Sequence, residues 1–420
     1  MNTIRFGIIG CGLMGREFGS ACARWCQLAE MDARPAVVAI CDPNPAAHAW
    51  FEKHLASMGQ VQRPWQVTSA YHDLLANPKV EAVYVAVPHD LHEEIYCAVI
   101  ESGKHLMGEK PFGINLAANQ AILKALAQHP TVFARCSSEY PFFPAVQRLG
   151  RMIENHELGR LIEAESGFLH SSDLDPGKPI NWKRRIETNG DYGCLGDLGL
   201  HACHLPLRAG WRIRNVRAIL SKIIRNRPNG LGGRAPCLTW DNATLLCEAR
   251  DSETSVEFPL LIKTQRIAPG EKNTWYCEIK GTQACARFST KDPNALWVLE
   301  YRTGGRQDWR RSEVGHAVTY RSITGEIFET GFSDALLQMW AAYIQELAYG
   351  KLPNRFAGCI TPTETGASHR LFTAALQSHE RAAVVALEEA GCAPQGRLTE
   401  YESATPSART DADSGRLQRR

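Results

Sequence analysis

The chain has 420 residues, 44% apolar and 22% charged, with 47 Lys and Arg against 45 Asp and Glu for a formal net charge of +2. That length predicts two domains or at most three, and the composition excludes a disordered chain, a coiled coil and a collagen-like chain. The charge balance gives no sign of a nucleic-acid or membrane partner. Fourteen cysteines, scattered from Cys11 to Cys392 without CxxC pairs, are expected as reduced thiols rather than disulfides or a metal cluster. No signal h-region and no run near the ~20 apolar residues of a membrane span is present, so a cytoplasmic protein is expected.

The first third alternates strand and helix signals. Strands are expected over 4–9, 36–41, 80–87, 104–108 and 131–136, with helices over 15–30, 46–57, 89–102 and 117–128 between them. Such alternation implies βαβ units and a doubly wound parallel sheet. After about residue 137 the pattern changes. A helix over 144–157 precedes runs that suit antiparallel strands at 161–169, 216–224, 243–249, 254–263, 274–280, 284–289 and 296–301. Two helices, 332–349 and 362–387, close the fold. The expectation is a Rossmann unit over 1–136, a second α+β unit with a mostly antiparallel open sheet over 137–392, and a mobile tail over 393–420.

The strongest local motif is Gly10-Cys11-Gly12-Leu13-Met14-Gly15. It follows a strand and opens a helix, the context GxGxxG requires. Gly10 permits the tight turn, Gly12 lets the backbone approach a pyrophosphate, and Gly15 lets helix and strand pack closely. The helix N-terminus then offers free N–H groups to phosphates. Asp42, directly after the second strand, suits the adenosine ribose hydroxyls. Asp-Pro-Asn-Pro is also a good turn sequence, so a turn cap is the plainer alternative. A carboxylate there repels a 2′-phosphate, and no Lys or Arg follows within 43–49, which favours NAD over NADP.

Two further segments are Glu109-Lys110-Pro111 and Gly196-Asp197-Leu198-Gly199-Leu200-His201, with Val85-Ala86-Val87-Pro88-His89-Asp90-Leu91-His92 between them and the glycine loop. In that order, over about residues 4–390, the set resembles the Gfo/Idh/MocA family of sugar and cyclitol oxidoreductases. The resemblance implies a nicotinamide cofactor at the junction of two domains and homo-oligomers, dimers or tetramers, formed through the second sheet. It implies cofactor contacts from Gly10, Gly12, Leu13, Met14, Gly15, Asp42, Val87, Pro88, His92, Glu109 and Lys110. Carried over by position, the catalytic set is Lys110, Asp197 and His201.

The chemistry of these residue types agrees. Taking hydride from a secondary alcohol needs a base for the hydroxyl proton, and histidine has a suitable pKa. A nearby ammonium stabilises the developing alkoxide. Asp197 and His201 are four apart, so a helix places them on one face. Asp197 can orient the imidazole, bind a sugar hydroxyl or cap the helix. Trp182 can cover a sugar face, and Lys183 and Arg184 can bind an acidic group, unless that loop is merely solvated. Tyr140, after the last Rossmann strand, can contact nicotinamide or substrate. His204 gives Asp197 and His201 a metal-like spacing, but hydride transfer needs no metal and none is expected; His369 is a weaker candidate.

The expected activity is NAD-dependent dehydrogenation of a sugar, sugar derivative or cyclitol. One alternative is an NAD-dependent glycoside hydrolase that oxidises, eliminates and returns the hydride. Another is a sensing protein that binds NAD and sugar without catalysis.

Overall fold

A computed structural model describes residues 2–56, 61–325, 327–387 and 400–401. The expected tail over 393–420 lies outside the described residues, apart from 400–401.

The first part runs β1 (Asn2–Ile9), α1 (Leu13–Ala23), β2 (Ala33–Cys41), α2 (Pro45–Phe51), β3 (Val61–Thr68), α3 (Tyr71–Leu75), β4 (Ala82–Val85), α4 (His92–Glu101), β5 (His105–Gly108), α5 (Leu116–Gln128) and β6 (Ala134–Cys136). The six strands form one parallel sheet in the order β3-β2-β1-β4-β5-β6. Chain order reverses between β1 and β4, and in open α/β sheets the ligand crevice lies there, beyond the carboxyl ends of the strands. The register lines those ends up. Ile9 pairs with Cys41 and with Val85, Val85 with Gly108, and Gly108 with Cys136. The residues that follow, Gly10, Asp42, Ala86, Glu109 and Ser137, therefore emerge side by side along one edge.

The second part begins with α6 (Pro144–Glu154), β7 (Leu161–Leu169), the short α7 (Ile186–Asn189), α8 (Leu200–Arg208), β8 (Trp211–Ser221) and the hairpin β9 (Asn226–Pro228) with β10 (Arg234–Pro236). Then come β11 (Asn242–Asp251), β12 (Glu257–Gln265), β13 (Thr274–Gly281), β14 (Ala284–Ser289), β15 (Ala295–Glu300) and β16 (Arg310–Glu313). The chain ends in α9 (Phe332–Tyr349), β17 (Lys351–Leu352), α10 (Pro362–Arg381), β18 (Val385–Ala386) and β19 (Glu400–Tyr401). Nine strands form an open sheet, β16-β15-β14-β13-β7-β12-β11-β8-β18. Only β7 and β12 in it run parallel.

Several boundaries differ from expectation for local physical reasons. The helix expected to reach residue 30 stops at Ala23, where Trp25 turns inward and its indole N–H donates to the Ala33 carbonyl at 3.0 Å. The unexpected β3 carries Pro64 among polar residues, which reads as a loop but is tolerated on a sheet edge. The helix expected over 362–387 ends at Arg381. Ala382 adopts φ 52°, the Ser378 hydroxyl donates to the Ala383 carbonyl at 2.6 Å, and the chain then adds β18 to the edge of β8.

One apolar cluster runs continuously under both sheets. At its centre Trp340 of α9 lies 3.9 Å from the Phe18 ring and meets Phe6 and Tyr84 edge-on. Beside it the buried Arg135 of β6 pairs with Glu346 of α9 at 2.5 Å. Removing one partner of a buried pair strands the other charge, whereas replacing both with apolar groups is close to neutral. Arg135→Ala is therefore expected to lower unfolding stability in urea by about 3 kcal/mol, and Arg135→Met with Glu346→Leu to restore most of it.

Candidate functional site

The glycine loop has the form a dinucleotide needs. Gly10 has φ +96°, and a Cβ there would stand 2.2 Å from the Ala86 carbonyl oxygen. A Cβ on Gly15 would stand 2.2 Å from the Gly10 carbonyl oxygen. Both are glycine because neighbouring backbone fills the space. Gly12 is different: a Cβ there would meet nothing within 4 Å. Its missing side chain leaves open an approach to the N-terminus of α1, whose N–H groups have no side-chain cap. Leu13 is exposed and Met14 half-buried beside this opening.

Asp42 does cap its turn, with Oδ1 accepting the Asn44 N–H at 2.8 Å. Its Oδ2 accepts the Cys11 N–H at 2.8 Å, which ties it to the glycine loop. Each carboxylate oxygen keeps a lone pair for a ribose hydroxyl. The open cradle and this carboxylate fit a dinucleotide.

Other residues expected at the cofactor face inward. His92 is fully buried, its Nε2 3.1 Å from the Val87 carbonyl and its ring stacked on Tyr96. The Glu109 carboxylate accepts the Tyr84 and Ser137 hydroxyls at 2.7 and 2.6 Å. Both side chains are buried in the crevice wall, where His92 Nε2 and Glu109 Oε1 take interior partners. Val87 and Pro88 are half-buried at the mouth.

Lys110, directly after Glu109, reaches across to the second part of the chain. Its Nζ donates to the Asp197 carbonyl at 2.7 Å and to Asp197 Oδ1 at 2.9 Å. Lys183 Nζ donates to the same Oδ1 at 2.9 Å, and Arg266, just beyond β12, bonds Oδ2. Asp197 is 1% exposed and answers all three cations. Burial and the Arg266 charge push the Lys110 ammonium pKa below its ordinary value.

The expected single helical face of Asp197 and His201 is altered. Leu195–Gly199 forms a π-helical turn ahead of α8, and the carboxylate takes cations instead of the imidazole. His201 Nδ1 is instead 3.1 Å from Ser138 Oγ and 4.0 Å from Glu139 Oε2. Among the described residues no hydrogen bond holds its Nε2. Burial first, then Lys110, His204 and other cationic neighbours drive the His201 pKa well below normal, so the ring is neutral at pH 7.

The remaining candidates separate. Tyr140 is buried, its hydroxyl donates to Asn273 at 3.2 Å, and its ring lies between His201 and Trp275, so it is packing beneath His201. Arg184 is fully buried on Asp173 and Asp241 at 2.8 and 2.7 Å, which removes it as a ligand contact. Trp182 is half-buried against His89 and stays at the crevice. His369 bridges the Thr365 and Gly113 carbonyls deep in the core, and His204 is buried too. The cysteines from Cys11 to Cys359 are free thiols.

Glu139, Ser138, Arg266 and Asp173 escaped the sequence reading. Only Glu139 carried a signal, as the first acidic residue after the last parallel strand, which ends at Cys136. Burial raises its carboxyl pKa from 4.5 to about 7, with the Glu109 charge adding to the rise. Between those values the folded chain holds a proton that the unfolded chain has lost, so this group's contribution to stability falls as pH rises from 4.5 to about 7. Glu139→Gln abolishes that fall: relative to the parent, the variant should gain of order 2 kcal/mol between about pH 5 and 8 in pH-resolved urea unfolding.

The sequence model of the oxidoreductase family with NAD-binding Rossmann fold matches residues 4–135. Levoglucosan dehydrogenase from Pseudarthrobacter phenanthrenivorans is 26% identical over 71% of this chain and 76% of its own length. Inositol 2-dehydrogenase 2 from Saccharopolyspora erythraea is 28% identical over 42% of this chain and 47% of its own. The solved structure of levoglucosan dehydrogenase with NADH and L-sorbose has a TM-score of 0.79 at 23% identity, covering 93% of this chain and all of that one. Its likeness shows a shared fold across both sheets. The match to the Gfo/Idh/MocA oxidoreductase family thus lies in residues 4–135, the part that carries the NAD-binding Rossmann fold.

Proposed function

We propose that this protein is an NAD-dependent dehydrogenase that oxidises a secondary hydroxyl of a sugar, sugar derivative or cyclitol. The observation that carries this reading is the convergence of the Lys110 ammonium and the His201 imidazole beside the carboxyl edge that bears the glycine loop. The names of the similar proteins support the substrate class: levoglucosan and inositol are a sugar derivative and a cyclitol.

NAD bound on the glycine loop supplies the hydride acceptor. His201, neutral and held at Nδ1 by Ser138 with Glu139 behind it, offers Nε2 to the hydroxyl proton. Glu139 stabilises the imidazolium that results. Lys110 lends positive charge to the developing alkoxide. Asp197 fixes the Lys110 ammonium and does not itself take the proton. On this reading 1–136 forms the NAD-binding unit and 137–392 the substrate-binding unit. The outer face of the nine-stranded sheet, where Ile162, Ile219 and Leu246 are exposed, joins copies into a homo-oligomer.

Purified protein with NAD and a panel of sugars, sugar acids, anhydrosugars, cyclitols and glycosides should yield stoichiometric NADH with at least one compound, read at 340 nm. Aglycone release without net NADH would replace the dehydrogenase with a redox-assisted glycosidase. His201→Asn should lower kcat by about 10²–10⁴-fold while leaving NADH affinity intact. Gly12→Val separates the loop's binding role from its folding role. The open space at Gly12 predicts an unchanged melting temperature with NADH affinity reduced more than about tenfold. An unfolded variant, or one that binds as before, contradicts the cradle.

A further inference from the structure

We propose that the substrate carries an oxyanion, a carboxylate or a phosphate, which the Lys110 and Lys183 ammonium groups receive together. This rests on reading the crevice as the sugar site. The ion-pair network that starts at Asp197 holds five cations, Lys110, Lys178, Lys183, Arg184 and Arg266, against three carboxylates, Asp173, Asp197 and Asp241. The carboxylates of Glu109 and Glu139 lie behind Lys110, committed to Tyr84 and Ser137 and facing His201 respectively. Within the directly paired network cations outnumber carboxylates, with Glu109 and Glu139 offsetting part of the excess from behind Lys110, and that excess is not spread evenly. Arg184 is sealed in the interior and Arg266 nearly so, whereas the side chains of Lys110 and Lys183 are 16% and 30% exposed.

The two ammonium groups also have unused capacity. Each carries three N–H donors. Lys110 spends two on Asp197, and the hydrogen bonds of Lys183 among the described residues go to the two oxygens of that same carboxylate, with the Trp182 ring 5.4 Å from its Nζ. Both stand 2.9 Å from a single oxygen, Asp197 Oδ1, so they lie close enough for one oxyanion to bridge them. The groups around them report the same excess. Lys183 is driven down by burial and then by Arg266 and Lys110. His170 is pushed down to about 4 by burial and then by Arg266, Lys183 and Lys110, and burial with His92 and the same lysines lowers His89. A crevice ringed by neutral histidines and under-neutralised lysines offers a neutral polyol nothing that needs two cations. An anion relieves the repulsion and takes charge-assisted hydrogen bonds.

The test measures binding to the protein–NADH complex by calorimetry with matched probes: galacturonate and gluconate for the carboxylate, glucose 6-phosphate for the phosphate, and galactose, sorbitol and glucose as neutral parents. At least one anionic probe should bind about tenfold or more tightly than its parent. Lys183→Met should erase that preference and Lys183→Arg should keep it, which guards against loss through misfolding. Preference for a carboxylate over a phosphate, or the reverse, assigns the source. Neutral parents binding as well as the acids, no binding by any probe, or Lys183→Met weakening both classes alike would each overturn the proposal. NADH formation is recorded separately. A preferred acid that binds without turnover leaves the oxyanion site standing and counts against the dehydrogenase reading.

Discussion

The arrangement of the crevice depends on one buried carboxylate. Asp197 gathers Lys110 from the carboxyl edge of the parallel sheet, Lys183 from the loop before α7, and Arg266 from the end of β12. No two of these cations come from the same stretch of chain, and like charges would otherwise drive them apart. Taking such charges out of water is costly, and the cost is met only while every partner is present. The carboxylate is thus the fixed point against which the Lys110 ammonium is placed. Arg266 extends the constraint to Asp173, and Arg184 carries it on to Asp241, whose second oxygen accepts the Ile223 and Ile224 N–H groups.

The same constraint explains how two sheets with separate topologies share one crevice. Lys110 crosses from the parallel sheet to the π-helical turn at 195–199. On the opposite flank Arg135 and Trp340 bind α9 to the strands β1, β4 and β6. These contacts use different physics. The first is electrostatic and reached by solvent only on the lysine side, and the second is aromatic packing with a sealed ion pair.

Strand and helix order was legible because each unit had its own period, and the runs at 161–169, 284–289 and 332–349 match the structure at both ends. What was not legible was settled by tertiary contacts. β3 hid behind Pro64, and β18 exists only because the edge of β8 is there to pair with. The glycine loop, Lys110 and His201 were readable as motifs, since a motif records both residue type and spacing. The partners of a side chain were not. Nothing in the sequence says that Arg184 is sealed on Asp173 and Asp241 while its neighbour Lys183 opens to the crevice. Nor does spacing alone show that His201 turns to Glu139 rather than to Asp197, because the π-helical turn rotates the one away from the other.

That rotation separates two electrostatic tasks. Had Asp197 held the imidazole, it would have raised the pKa of His201 while being drained of charge by three cations, and neither task would be done well. Instead the ionised carboxylate neutralises the lysines. Glu139, whose pKa burial raises to about 7, stands beside the imidazole. An acid with that pKa is divided between its neutral and ionised forms near pH 7, and its ionised form would stabilise an imidazolium beside it. A permanently ionised partner would instead hold the ring protonated and deny the hydroxyl its base. On the dehydrogenase reading proposed above, burying Glu139 beside His201, at a cost to stability near neutral pH, suits a base that is free before hydride leaves and supported afterwards.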